Sequence, residues 1–113
     1  MNIFMDDYRK RPEGFTLART TEECLLLLRE CEVNILSLDY DMGPGDYSGD
    51  DVARRIVLEG LYPREIYLHT SSSAGRKAMY ELLYTAVPEG TVLHNGPPGH
   101  ELLAEIAAGV TAI

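Results

Sequence analysis

Two pairs of aspartates dominate the chemistry that this sequence can offer. Asp6 and Asp7 follow a short apolar run, and Asp39 and Asp41 follow a second one. Carboxylates that converge on one rim repel each other, and some of their pKa values rise unless a cation neutralises them. Carboxylate oxygens favour Mg²⁺ or Mn²⁺. We therefore expect the four aspartates to hold a divalent metal, Mg or Mn; the alternative is that they are solvated strand ends.

A histidine and a run of hydroxyl side chains follow a third apolar stretch. His69 has an unperturbed pKa near 6.5, which suits a metal ligand or a general acid/base, and Thr70 stands beside it. Ser71 and Arg76 lie where a helix should begin, so free backbone N–H groups there could bind a phosphate. The same turn is equally well explained as an ordinary helix cap.

His94 and Asn95 are two further candidates, because they follow the fifth predicted strand. Recruitment of His69 or His94 would shift the metal preference toward Mn²⁺, Fe²⁺ or Zn²⁺. No lysine occurs among the residues that end the strands. The one basic run, from Arg9 to Arg11, is short and adjoins an acidic pair, so we expect a solvated loop there.

The hydrophobic pattern predicts the elements that must position these residues. Short apolar runs predict strands at 2–5, 15–19, 34–38, 65–68 and 91–93. Helical spacing predicts helices after a capping box at Thr20 and Glu23, and at 52–59, 77–86 and 101–108. Alternating strands and helices indicate an α/β fold with a doubly wound, mostly parallel five-stranded sheet, whose ligands bind at the carboxyl ends of the strands.

Composition narrows the class of protein. A chain of 113 residues with 45% hydrophobic residues fits a single domain over residues 1–113. A net charge of -8 argues against duplex nucleic acid and anionic membranes as partners. The first residues show neither a basic region nor a long apolar stretch, so we expect no signal peptide or membrane span.

The spacing of the two cysteines indicates the redox environment of the protein. Cys24 and Cys31 are seven positions apart in a predicted helix and so lie about 10 Å apart, too far for a disulfide. We expect buried thiols and a cytoplasmic location. Leucines 25 to 28 of the same helix predict that more than one of its faces is packed.

The strand-end aspartates, the Gly/Pro-rich loop at 42–49 and Thr70 after the fourth strand together resemble the response-regulator receiver family. The resemblance implies a flavodoxin-like fold. It also implies that Asp6 and Asp7 hold Mg²⁺, that Asp39 accepts a phosphoryl group and that Thr70 contacts that group.

Several departures from an ordinary receiver narrow the resemblance. The connection from Asp7 to Phe15 is too short for the first helix, the fifth-strand lysine is missing near Asn95, and Asp41 and His69 are additions. Together these features resemble the branch of cyclic-phosphate-processing receiver domains, a bacterial group, over stretches in the first two-thirds of the chain: 6–9, 12–15, 37–41 and 69–76. The resemblance implies processing of cyclic or terminal phosphates of nucleotides.

Three functions follow from these observations. In the first, the protein is a metal-dependent phosphoesterase acting on a small phosphorylated ligand, with Asp39, His69 and Thr70 in catalysis. In the second, it is a phosphoacceptor receiver without an output domain, although without the lysine we expect no stable aspartyl-phosphate at Asp39. In the third, it is a degenerate receiver that acts as a protein-binding module. Separately, four tyrosines could supply aromatic surface of the kind that interfaces use: Tyr62, Tyr67, Tyr80 and Tyr84.

Overall fold

Five short strands form a parallel sheet in the computed structural model, which describes residues 1–109. The strands are β1 Asn2–Met5, β2 Thr16–Ala18, β3 Ile35–Leu38, β4 Glu65–Leu68 and β5 Val92–Leu93. Their order is β2-β1-β3-β4-β5, and every neighbouring pair is parallel. This is the strand order of flavodoxin-like doubly wound sheets. The predicted fold class is therefore confirmed.

Four helices connect and cover the strands. They are α1 Thr21–Glu30, α2 Gly49–Glu59, α3 Ser73–Tyr84 and α4 His100–Ala107. Helices α2 and α3 begin three and four residues before the predicted bounds, because Ser48 and Ser72 act as N-caps ahead of the first apolar residues. Across residues 1–109, no helix combines the length and the apolar character that crossing a bilayer requires.

The connection from β1 to β2 contains no helix, as the sequence predicted. Residues 6–15 form a loop that returns along the sheet, and the backbone N–H of Asp6 donates to the Ala18 carbonyl over 3.1 Å. Gly14 has a φ of +88° and packs so closely on Ile106 of α4 that an added Cβ would lie 2.6 Å from the Ile106 Cγ2. The loop thus helps to cover the face of the sheet that a first helix would otherwise cover.

Side chains alternate between the two faces of the sheet, and each face has its own core. One face packs on α1, α2 and α3 and includes Ile3, Met5, Leu36, Leu38, Ile66 and Leu68. The other face packs on α4 and includes Phe4, Phe15, Ile35, Tyr67 and Ile106. On the three central strands, the next residues on this second face are polar: Asp6 after Phe4, Ser37 after Ile35 and His69 after Tyr67.

Several exposures differ from the sequence-based expectations. Leu26 is 56% exposed, so α1 buries one face and not several. Cys31 is half-buried, whereas Cys24 is fully buried as predicted. Tyr67 is 7% exposed and supplies no aromatic surface, while Tyr84 is 64% exposed. A run of leucines sets the number of apolar positions but not the number of elements that pack on them. Within residues 1–109, α1 packs mainly against β1, β2 and α2.

We predict that Gly49→Ala destabilises the fold, because a Cβ there would lie 2.1 Å from the Asp39 carbonyl oxygen. Overpacking of this kind costs about 1–3 kcal/mol of unfolding free energy. Urea denaturation should show this loss for Gly49→Ala and a change within about 0.5 kcal/mol for Gly96→Ala, whose Cβ would meet no atom within 4 Å. Equal stability of the two variants would contradict the close approach of α2 to the end of β3.

Candidate functional site

Three polar side chains follow three neighbouring strands at the same edge of the sheet. In the register of the sheet Met5 lies beside Leu38 and Leu38 beside Leu68, so the next residues along these strands, Asp6, Asp39 and His69, share one row. One ligand atom from each of the three lies within 4.8 Å of the others. The parallel topology therefore brings together residues that are 63 positions apart in the chain.

Asp6 is fully buried, and both of its carboxylate oxygens are occupied. Its Oδ1 accepts from the backbone N–H groups of Tyr8 at 3.0 Å and Arg9 at 2.8 Å. Its Oδ2 lies 3.0 Å from Arg9 Nη1 and 3.0 Å from His69 Nε2. Burial pushes the pKa of Asp6 upward, but the hydrogen bonds from Arg9, Tyr8 and His69 outweigh it and the pKa is lowered. Asp6 is thus a fixed, ionised carboxylate.

His69 is held by Asp6 on one side and by Ser37 on the other. Its Nδ1 lies 2.7 Å from Ser37 Oγ, and its ring stacks on Phe4 with centroids 4.1 Å apart. Burial lowers the pKa of His69 to about 4, although Asp6 opposes this shift. A neutral ring that donates from Nε2 to Asp6 and accepts at Nδ1 from the Ser37 hydroxyl satisfies all of these groups. The catalytic or ligand role of His69 stays a prediction, and it would require the ring to give up one of these partners.

Arg9 is the functional residue that the sequence analysis missed. Its Nη1 lies 3.0 Å from Asp6 Oδ2 and 3.5 Å from Asp39 Oδ2, so its guanidinium bridges the two carboxylates. Its Cζ also lies 5.3 Å from the centroid of the Tyr8 ring. The expectation of a solvated basic loop is therefore wrong for Arg9. One feature of the sequence could have indicated this contact. Asp6 and Arg9 are three residues apart directly after a strand, and a turn at that point brings their side chains together.

The pKa of Asp39 is shifted in the opposite direction to that of Asp6. It is 3% exposed, and its Oδ1 accepts from the Tyr40 backbone N–H over 2.8 Å. Burial raises the pKa of Asp39 and the negative charge of Asp6 adds to this, while the Tyr40 N–H, Arg9 and Thr70 lower it without cancelling the rise. Asp39 is therefore the member of the pair that can hold a proton closer to neutral pH.

A cleft of about 270 Å³ opens beside Asp39. Its lining consists of acids, hydroxyl residues and the loop that carries Arg9: Asp7, Tyr8, Arg9, Asp39, Asp41, Gly43, Thr70, Ser71 and Ser72. Asp7 Oδ1 is buried and has no hydrogen-bond partner within the described part of the chain. A buried carboxylate oxygen without a donor fits a ligand of a cation. Asp7, Asp39 and Asp41 all line this cleft, whereas the described residues whose ligand atoms lie within 4.8 Å of one another are Asp6, Asp39 and His69.

Five of the predicted site residues lie outside this lining. Asp6 and His69 belong to the buried cluster with Asp39, and the other three are Arg76, His94 and Asn95. Arg76 belongs to α3, and its backbone N–H donates to the Ser72 carbonyl over 2.9 Å. His94 Nε2 pairs with Glu65 Oε1 at 2.9 Å, and its ring stacks on Tyr67 with centroids 4.0 Å apart. Asn95 follows His94. The structure therefore brings together the predicted residues of the first four strands, and does not add those of the fifth strand or of α3.

A larger cleft of about 720 Å³ lies at the other end of the sheet, among residues that precede the strands, such as Asn2, Asn34 and Arg64. Ligands of doubly wound sheets bind at the carboxyl ends of the strands. The acids of the strand ends also lie at the smaller cleft. We therefore take the smaller cleft as the candidate functional site.

One protein family matches most of this chain. Residues 1–85 match the family described as the Cyclic-phosphate processing Receiver domain. The chain belongs to this family. The matched residues run from β1 through α3 and contain every residue that lines the smaller cleft.

Comparisons with curated proteins and solved structures add the fold alone. No curated protein matches the chain. Among solved structures, one matching chain is titled as amino acids 181–211 of the yeast Spc42 trimeric coiled coil fused to another structure. It superposes with a TM-score of 0.54 at 14% identity, over 96% of this chain and 77% of that chain. At this identity the likeness supports the receiver-like α/β fold of the family and no activity.

We predict that buried His69 makes stability fall as the pH decreases from 7 to 5. The folded pKa of about 4 lies below the ordinary value of 6.5, so in this range the unfolded chain binds the proton first and is favoured. The loss from His69 should be about 2 kcal/mol over the window. Urea denaturation at both pH values checks this, and the loss should be smaller by that amount in His69→Gln. An identical pH dependence in both proteins would contradict a buried, neutral ring.

Proposed function

We propose that the protein is a metal-dependent phosphoesterase that opens or removes a cyclic or terminal phosphate of a small nucleotide-like ligand. The observation that carries the proposal is the cleft itself. In it Asp39, whose pKa is raised, lies with the side chains of Thr70 and Ser71 and with the unpartnered Asp7 carboxylate. Membership of the cyclic-phosphate processing receiver family supports the substrate class.

Asp7, Asp39 and Asp41 would hold the divalent ion, because all three line the cleft and Asp6 already has partners on both oxygens. Their oxygens are not among those that cluster within 4.8 Å, so Asp7 and Asp41 would have to turn toward Asp39 when the ion binds. When bound, the ion supplies positive charge for the phosphate and a bound water of lowered pKa. The exposed Asp41 is partly committed, since its Oδ1 accepts from the Gly43 N–H over 3.0 Å. Asp7 and Asp39 are therefore the central pair of this ligand set.

The protein's own groups account for binding and proton transfer. Thr70 and Ser71 can donate hydroxyl hydrogen bonds to the phosphoryl oxygens, and Arg9 adds a fixed positive charge beside Asp39. In hydrolysis of a cyclic phosphodiester, the water oxygen forms the new bond to phosphorus and one ring P–O bond breaks. Asp39 takes a proton from the water and returns one to the leaving oxygen, which becomes a hydroxyl.

A second candidate function is favoured by one observation. A phosphoacceptor receiver needs a positive charge near the transferring phosphoryl group, and the fifth-strand lysine is missing. Arg9 lies 3.5 Å from Asp39 and can supply that charge from the first connection. Under this alternative Asp39 is the nucleophile, and it carries a covalent phosphoryl group instead of moving protons.

We predict that the protein, with Mn²⁺ or Mg²⁺, hydrolyses 2′,3′-cyclic nucleotides or a generic phosphodiester. Asp39→Asn should lower kcat by about 100-fold or more, because the amide cannot take the proton. The matched control is Glu81→Gln, which removes an exposed carboxylate of α3 outside the cleft and should leave kcat unchanged. Release of the phosphomonoester is measured by chromatography. Equal turnover in the wild type and Asp39→Asn would contradict the proposed role of Asp39.

A separate measurement distinguishes the two functions. We predict no stable aspartyl-phosphate when the protein is incubated with acetyl phosphate and Mg²⁺, because Asp39 acts on protons in the proposed reaction. Intact-mass spectrometry before and after hydroxylamine would detect an adduct. An adduct that appears in the wild type and is absent in Asp39→Asn would support the phosphoacceptor function and contradict the phosphoesterase.

A further inference from the structure

We infer that Arg9 is the resident cation of the Asp6–Asp39 carboxylate pair, and that a divalent ion reaches both carboxylates only by displacing its guanidinium. Like the proposed function, this inference assumes that the site binds a divalent ion. It does not require that the site hydrolyse a phosphate. It concerns which group neutralises the two buried acids and how that group regulates metal binding.

The position of the guanidinium carries the first step. Arg9 Nη1 lies 3.0 Å from Asp6 Oδ2 and 3.5 Å from Asp39 Oδ2, so one nitrogen lies close to an oxygen of each acid. These two acids and His69 are the described residues whose ligand atoms cluster within 4.8 Å. A metal bound to both oxygens would need the same lone pairs at about 2.0–2.3 Å. The guanidinium and the metal therefore exclude each other.

The loop holds Arg9 in this position at two points. Its backbone N–H donates to Asp6 Oδ1 over 2.8 Å, and its guanidinium donates to Asp6 Oδ2 over 3.0 Å. Because the backbone of Arg9 is held by one oxygen of Asp6 and its guanidinium by the other, the side chain is pre-positioned and loses little freedom when it also contacts Asp39. The guanidinium is thus a built-in competitor for the metal, and Asp6 is its anchor.

The exposure of the three groups shows how the exchange can occur. Asp6 and Asp39 have side chains that are 0% and 5% exposed, whereas the Arg9 side chain is 30% exposed. Arg9 also contacts the ring of Tyr8, which is 71% exposed at the cleft. The guanidinium can therefore leave the carboxylates toward solvent while the loop keeps its backbone contact to Asp6. The two acids cannot separate in this way, because each ends a buried strand.

Metal affinity tests the inference without any substrate. Mn²⁺ is titrated by calorimetry into the wild type, Arg9→Gln, Arg9→Lys and Arg11→Gln. Arg9→Gln removes the competitor, and Arg9→Lys keeps its charge but not the guanidinium whose Nη1 lies beside both carboxylates. Arg11→Gln removes an equal charge from an exposed position two residues away. We expect Arg9→Gln and Arg9→Lys each to bind Mn²⁺ about tenfold more tightly or better, and Arg11→Gln to match the wild type.

Thermal stability gives a second readout. Without metal, Arg9→Gln should melt below the wild type, because two buried carboxylates lose the cation between them. Saturating Mn²⁺ should raise the melting temperature of Arg9→Gln more than that of the wild type. If Arg9→Gln fails to fold without metal, the comparison of Arg9→Lys with the wild type decides the question.

The outcomes separate displacement from simple charge repulsion. Tighter binding by Arg9→Gln with wild-type affinity in Arg9→Lys would show that only the charge matters, and would overturn the inference. The inference would also be overturned if neither Arg9→Gln nor Arg9→Lys bound Mn²⁺ at millimolar concentration. Arg9 would then not be the group that prevents the metal from binding. Tight Mn²⁺ binding by both variants without turnover of any phosphodiester would support the inference and contradict the proposed function instead.

Discussion

The buried carboxylate of Asp6 is the group on which the site depends. An isolated charge in this position would cost several kcal/mol, and the protein offsets that cost with four donors on two oxygens. Two of the donors are backbone N–H groups, one is the guanidinium of Arg9 and one is the ring of His69. The same four contacts fix the turn after β1, the orientation of Arg9 and the tautomer of His69. Removing the carboxylate would therefore release the loop and the end of β4 together.

The Asp6–Asp39 pair shows how neighbouring acids acquire different roles. Hydrogen bonds lower the pKa of Asp6, while burial and the charge of Asp6 raise that of Asp39. Pairs of titratable groups whose surroundings push their pKa values apart are the usual basis of acid and base assignments in enzymes. Here the ionised member anchors the structure and the other member lies at the cleft. The proposed reaction therefore assigns proton transfer to Asp39, while Asp6 holds the groups around it in place.

Much of this arrangement could be predicted from the sequence, for definite reasons. Strand β4 has the predicted bounds because its apolar residues end abruptly at polar ones, and the acids that follow β1 and β3 converge because parallel strands end at one edge. The bridge formed by Arg9 could not be predicted. A charged residue in a loop acquires a partner only when the backbone turns, and a sequence does not state the direction of that turn. The helix cap at Ser72 was one of two alternatives that the sequence left open, because hydroxyl residues suit a phosphate site and a helix start equally well.

Arg9 lies in the site because a tight turn, and not a helix, follows β1. A helix after β1 would carry the chain along the sheet at about 1.5 Å per residue and place its later residues away from the strand end. A tight turn instead returns the third residue after Asp6 to the Asp6 carboxylate, within 3.0 Å. A positive charge beside Asp39 therefore comes from the connection after β1, in a chain that has no lysine near the end of β5. Arg9 Nη1 lies within 3.5 Å of Asp39 Oδ2 and 3.0 Å of Asp6 Oδ2, so this charge is shared by the two acids that follow β1 and β3.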